Sequence, residues 1–390
     1  MSFDPNGVGV ANGNIFGFPC TEEEADLIII PIPWDATASY GKGTSNGPQA
    51  ILDASTQLDF FHPKLKDAFE TKVFLTPISE EWKAINDSLN DRASEYFIDL
   101  EQLGEDSAKE KHREIISEIN EAHTALTANL KSRVEALIQS GKICAVLGGE
   151  HSTPLGLIQA LNDHYGSFSI LQIDAHADLR KAYEGFEQSH ASIMYNVVES
   201  CDNLNQLVQV GIRDLSSDEY ERSLKHPKIT TYFDWNLKEE SFHGKTWSTQ
   251  CDEIIDSLSN EVYISFDIDG LIPNLCPNTG TPAAGGFTLE QLSFLIFKVV
   301  DSGRTIIGFD LAGIPGAIVA LLGMILPSTL AILLLFNVFL EYKDTAFVKG
   351  MSVAAKPVVV VLIGGVAYSM ARSSVFKSMD FGSTVVSFII

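Results

Sequence analysis

The chain has 390 residues, with 27 Lys and Arg against 51 Asp and Glu, a formal net charge of −24. That balance excludes nucleic-acid binding through a general basic surface. The charge is unevenly spread: residues 1–311 carry −26, whereas 312–390 hold only Lys343, Lys349, Lys356, Arg372 and Lys377 against Glu341, Asp344 and Asp380, and are mostly apolar. The length suffices for one large α/β domain and a further segment. Five cysteines without a CxxC pair read as scattered reduced thiols of a cytoplasmic protein. Residues 1–25 lack the basic start and long apolar run of a secretory leader.

In chain order, residues 26–34 (DLIIIPIPW) read as a buried strand ending in a Pro-rich loop. Gly41, Gly43, Gly47 and Pro48 mark a loop, and 50–61 has helical spacing. Residues 62–104 read as polar and irregular. Residues 105–141 read as one helix, with apolar Ile115, Ile119, Leu126, Leu130, Val134, Leu137 and Ile138 on one stripe and Gly141 as its stop. A βα rhythm follows. Strands are expected at 143–147, 168–173, 207–211, 229–233, 262–266 and 305–309, and helices after 153 and over 288–300. Alternation of this kind predicts a parallel sheet covered on both faces, with ligands beyond the carboxyl ends of its strands.

Three acidic and imidazole clusters fall at such ends: His151 in GGEHS; Asp174, His176 and Asp178 in DAHADLR; and Asp267 with Asp269 in SFDIDG. In an extended chain, residues two apart point the same way, so 174, 176 and 178 can aim at one place. Carboxylate oxygen with imidazole nitrogen suits Mn²⁺ or a similar first-row ion. Each cluster has an ordinary alternative, such as a turn histidine or an N-cap aspartate. Together, two His and four Asp are too many hard ligands for one ion and about right for two.

GGEHS, DAHADLR and SFDIDGLIPNLCPNTGTPAAGGFT, in this order, resemble the ureohydrolase family of arginases, agmatinases and formiminoglutamases, over about residues 10–311. The resemblance implies a three-layer α/β/α sandwich around a mostly parallel, eight-stranded sheet. It also implies two Mn²⁺ ions, hydrolysis of a linear amidine or guanidino C–N bond, and assembly into trimers or hexamers. Matched motif by motif, His151 and Asp178 would hold one metal, His176 and Asp269 the other, and Asp174 and Asp267 would bridge. Asp178 would also accept a hydrogen bond from the nucleophile. His190, in QSHAS, matches the family's proton-shuttle histidine, and an imidazole can supply the proton a leaving amine needs.

The His190 context is most like agmatinases, which convert agmatine to putrescine and urea. Arg180 is more like formiminoglutamases, where a cation could pair with a substrate carboxylate; it reads equally well as a surface arginine paired with an acid. Formiminoglutamase and arginase are the alternative activities. Residues 278–286 read as a pocket wall or as an ordinary connecting loop.

The resemblance breaks at the last strand. The family continues past Gly-Phe-Asp with a glutamate that binds guanidinium, then a closing helix. This chain has Gly308, Phe309, Asp310 and Leu311, followed by Ala312, Gly313, Ile314 and Pro315. Residues 311–340 contain no charge and exceed the roughly twenty residues a bilayer span needs. With the apolar runs 357–371 and 381–390, they resemble part of a chromate-transporter-type membrane protein. The chain thus reads as an apparent chimera: a metal domain over 1–311 lacking its family's end, and an apolar α-helical, membrane-type segment over 312–390. Membrane association through that segment, a fragmentary transporter and a catalytically silent metal-binding fusion are the readings of another class.

Overall fold

A computed structural model describes residues 3–59 and 61–313. Eight strands form one sheet: β1 Leu27–Ile32, β2 Val73–Leu75, β3 Ile143–Gly148, β4 Phe168–Ile173, β5 Leu204–Ile212, β6 Ile229–Phe233, β7 Glu261–Asp267 and β8 Thr305–Ala312. Their order is β2-β1-β3-β8-β7-β4-β5-β6, and every pairing is parallel. Between them lie α1 Gly47–Ser55, α2 Glu80–Leu103, α3 Glu105–Lys111, α4 Arg113–Gln139, α5 Leu155–His164, α6 Ile193–Ser200, α7 Ser217–Lys225, α8 Asp234–Phe242, α9 Trp247–Asp256 and α10 Leu289–Asp301.

Both faces of the sheet are buried. Every residue of β1 and β4 is excluded from solvent. Ile28, Ile30 and Ile32 join a core with Tyr96 of α2, Ile119 and Leu130 of α4, and Leu157 of α5. Leu27 and Ile29, one residue out of phase, are equally buried. Strands covered on two sides need continuous apolar runs rather than alternation, which is why these segments read clearly in the sequence.

Two expectations change. Residues 62–104, read as irregular, contain β2 and the 24-residue α2. Its buried stripe of Asn86, Leu89, Ala93, Tyr96 and Phe97 has helical spacing, but one polar and one small member hid it. Ser79 caps this helix by accepting from the Trp82 N–H. The stretch 105–141 is two helices rather than one. His112 leaves helical dihedrals between them, and its Nε2 lies 2.6 Å from Asp99 Oδ2 of α2. Gly141 does end α4, at φ 78°. The helix expected over 50–61 is shorter and earlier: it starts at Gly47, with Pro48 in its first turn where a loop was expected, and closes at Ser55.

The apolar runs 311–340, 357–371 and 381–390 lie outside the described residues, apart from 311–313, as does any closing helix. Among the described residues no helix is long and apolar enough to cross a membrane.

Thr288 and Gln291 form a reciprocal capping box at the start of α10. Thr288→Ala should cost about 1 kcal/mol, read from the urea midpoint, and leave metal binding unchanged because α10 does not reach the site described below.

Candidate metal centre

The four adjacent central strands β3, β8, β7 and β4 converge at their carboxyl ends on one site. His151 follows β3; Asp174, His176 and Asp178 follow β4; Asp267 ends β7 and Asp269 lies in the turn after it. Gly149 brings His151 in: a Cβ there would lie 2.1 Å from the Trp34 carbonyl oxygen, so only glycine allows the approach. Asp178 has φ 54°, a left-handed conformation that aspartate tolerates better than most residues.

The structure brings all six residues together. His151 Nδ1 lies 2.8 Å from Asp178 Oδ2, 3.0 Å from Asp174 Oδ2 and 3.8 Å from Asp267 Oδ2. His176 Nδ1 lies 3.0 Å from Asp269 Oδ2 and 3.7 Å from Asp174 Oδ1. Two sets of ligand atoms are close enough to hold an ion each: His151, Asp174 and Asp267; and Asp174, His176 and Asp269. Asp174 belongs to both, as a bridging carboxylate would. A third group, Glu95, Asp99 and His112, lies apart, and Lys111 already pairs with both of its carboxylates.

The electrostatics fit cations. Asp174, Asp178, Asp267 and Asp269 are all buried, and the ion pairs described for them are with His151 and His176 only. Unbalanced buried carboxylates are expensive unless charge is supplied. Burial and the neighbouring Asp269 and Asp174 charges push Asp267 well above the carboxylate range. Burial and Asp174 likewise raise Asp178 to about 7. Burial opposes the charged form of His176, but Asp269 and Asp174 outweigh it and lift the imidazole to about 12. The imidazoles act here as the cations the carboxylates require.

A row of polar side chains supports the site from within the sheet. Thr231, Gln209, Gln172, Ser265 and Asp310 are in register across β6, β5, β4, β7 and β8. Thr231 Oγ1 donates to Gln209 Oε1, Gln209 Nε2 to Gln172 Oε1, and Gln172 Nε2 to Asp174 Oδ2. On the other side, His151 Nε2 is 2.8 Å from Ser265 Oγ and 3.6 Å from Asp310 Oδ2, while Tyr263 donates to Asp310 Oδ1. Such contacts fix the ring and carboxylate orientation of metal-ligating residues. None of this row was expected from the residue pattern. Its available signal was a polar residue two before a ligand on an otherwise apolar strand, as Gln172 stands to Asp174 and Ser265 to Asp267.

His190 stands beside the centre and lines the same cavity as Glu150, His151, Asp267 and Asp269. Burial and the charges of His176 and His151 lower its pKa to about 4. The cavity walls are Ala38 to Gly41, Thr44, Tyr183 and Thr279 to Thr281, so part of the 278–286 loop does form a wall. Arg213 ties that loop down through the carbonyls of Ala283, Asp269 and Leu271. Arg180 is not among the lining residues. Its Nε lies 3.4 Å from Glu219 Oε2, and its guanidinium stacks over Tyr183, which matches the surface-pair alternative.

The last described residue to line the cavity brings no carboxylate. Gly313 lines it at φ 85°, and a Cβ there would lie 2.5 Å from Asp267 Oδ1. The position is therefore closed to side chains in this backbone.

Asp174→Asn should abolish binding of both ions, measured by metal analysis after Mn²⁺ loading and desalting. Ser265→Ala, which frees the far side of His151 and one contact of Asp310, should weaken affinity about 10–100-fold. Unchanged metal content in Asp174→Asn would contradict the shared-ligand geometry.

Comparison with known proteins agrees with this arrangement. The Arginase family matches residues 25–315, and the Chromate transporter family matches 303–390. An N(1)-aminopropylagmatine ureohydrolase of Thermus thermophilus is 31% identical over 290 residues, covering 74% of this chain and 82% of that protein. An agmatinase of Bacillus subtilis is 27% identical, covering 74% and 83%. Among solved structures, the agmatine ureohydrolase of Thermoplasma volcanium superposes with a TM-score of 0.60 at 22% identity, over 82% of this chain and 94% of that one. The arginase of Bacillus cereus gives 0.57 at 18% identity, over 78% and 98%. Strand order, ligand clusters and sequence similarity converge, and the chain belongs to the arginase family of ureohydrolases, enzymes that hydrolyse amidino C–N bonds.

Proposed function

We propose that residues 1–311 form an agmatinase-like hydrolase of a cationic amidine that carries no carboxylate. The composition of the cavity carries this reading. Its walls include Glu150, Asp267 and Asp269, with the rings of Tyr40 and Tyr183, and no Lys or Arg is among the described lining residues. Acidic and aromatic groups favour a cation. A substrate carboxylate, as in arginine or formiminoglutamate, would have no counter-charge there. The names of the ureohydrolase and agmatinase relatives point to the same class.

In this reading His151 and Asp178 would hold one divalent ion and His176 and Asp269 the second, with Asp174 and Asp267 serving both, although Asp178 lies outside the two closest ligand sets and Asp267 in the first alone. Bound manganese would supply the Lewis acidity that makes water nucleophilic at neutral pH. Asp178 accepts a hydrogen bond from that water and so orients it. Water oxygen bonds to the amidine carbon, the C–N bond to the amine breaks, and urea and the amine result. His190, neutral at pH 7, takes a proton from the water and delivers it to the departing nitrogen. The rings of Tyr40 and Tyr183 would face the substrate's cationic end.

Turnover is low, because Ala312 ends the last strand and Gly313 follows it where the family's guanidinium-binding glutamate is expected. A charge-assisted contact of that kind is worth about 1.5–3 kcal/mol. The same absence favours the second reading, a metal-binding but catalytically silent domain.

The two family matches overlap at 303–315, across β8 and the residues just after it. We read this as a join between a ureohydrolase and a transporter-type segment that brings membrane association with it. Sequencing reads on the native chromosome across codons 308–316 distinguish a natural fusion from an error, which continuous reads would exclude.

A panel of agmatine, N(1)-aminopropylagmatine, arginine and formiminoglutamate tests the assignment. The carboxylate-free pair should show the higher kcat/KM; a preference for arginine or formiminoglutamate would overturn the cavity argument, and no turnover with metals bound would establish the silent domain. His190→Asn should lower kcat by about 10²–10⁴-fold with metal content unchanged.

A further inference from the structure

Glu150, in GGEHS, received no role from the sequence, although it is only 5% exposed and lines the cavity. Its two oxygens differ sharply. Oε1 accepts from Thr37 Oγ1 and from Ser152 Oγ, each at 2.7 Å. Oε2 is buried without a hydrogen-bond partner and lies 3.8 Å from His190 Nδ1. Thr37 bridges the two residues, its Oγ1 lying 3.3 Å from the same Nδ1.

A hydroxyl has one hydrogen to give. Thr37 donates it to Glu150, so its lone pairs face His190. The His190 backbone N–H also points at that oxygen, at 3.4 Å. Only an Nδ1–H can meet this acceptor, and the unpartnered Glu150 oxygen behind it favours the same proton once the carboxyl, which burial raises to about 8, is ionised. The other ring nitrogen is then left with its lone pair.

We propose that Glu150 and Thr37 are positioning residues that hold His190 in its Nδ1–H tautomer, with Nε2 free to exchange protons in the cavity. The consequence for catalysis rests on the proton-transfer role proposed for His190; the tautomer itself does not. A buried acceptor that fixes the tautomer of a proton-transferring histidine is a general device of such sites.

The test is ¹⁵N NMR of the histidine side chains in the full, metal-free chain at pH 9, above the value of about 8 to which burial raises Glu150, with His190 assigned by its loss in His190→Asn. The wild type should show a protonated Nδ1 and an unprotonated Nε2. In Glu150→Gln, the Gln carbonyl stays with the two hydroxyl donors and its NH₂ takes the Oε2 place facing Nδ1. That should invert the preference, changing the tautomer ratio on the order of tenfold, as expected for one ordinary hydrogen bond. Thr37→Val should move it the same way, whereas Thr37→Ser, which keeps the hydroxyl, should leave it alone. An Nε2–H tautomer in the wild type overturns the inference, as does a ratio unmoved in both Glu150→Gln and Thr37→Val. Turnover is read separately. A tautomer that switches while kcat stays constant upholds the positioning and removes His190 from the proton path.

Discussion

Four carboxylates buried at the ends of neighbouring strands are the constraint on which the rest of this domain depends. Charges of one sign in a dry interior repel and are poorly solvated. The fold offers two imidazoles, a buried amide chain and backbone N–H groups in return. Ala175 N–H donates to Asp269, His176 N–H to Asp174 and Asp269 N–H to Asp267. Those contacts position the oxygens but leave the cluster short of positive charge, and that deficit is what suits it to divalent ions.

The parallel sheet makes this arrangement possible. Strands in the centre of such a sheet are apolar on both faces, yet Gln172, Gln209 and Ser265 lie inside it, fully buried. Each is paired, because parallel register puts them side by side in one row. A single unpartnered member would leave a costly buried polar group. The row therefore transmits order from the edge strand β6 to Asp174, while Ser265 and Asp310 do the same for His151 from the other side. The candidate metal ligands sit at strand ends and on the loops after them, and their geometry is inherited from the sheet.

The cavity above the centre is decided by loops distant in sequence. Gly41 packs against Gly280 so closely that a Cβ on Gly41 would lie 2.5 Å from the Gly280 carbonyl oxygen. This contact joins the loop after β1 to the loop after β7 as one wall. Glu150 and Thr37 then tie that wall to His190. In the proposed reading, substrate choice and proton handling are built from the same contacts, and Gly313, the last described residue, adds no side chain to this wall.

Much of this is legible in the order of residues alone. The central strands are readable because burial on both faces demands apolar runs, and the six candidate ligands because acids and imidazoles stand after those runs, in an order shared with a known family. α2 is not legible, since its buried stripe includes Asn86 and Ala93. The break at His112 depends on Asp99 from another helix. Arg180 reads two ways in the sequence, and that Glu219 lies beside it is visible only in the fold. The sequence by itself determined the sheet, the ligand chemistry and the change of character after Leu311, because these are local patterns of residue type. Only the tertiary structure decided the polar row, the anionic cavity and the partners of His190, because each depends on side chains far apart in the chain meeting within a hydrogen bond's length.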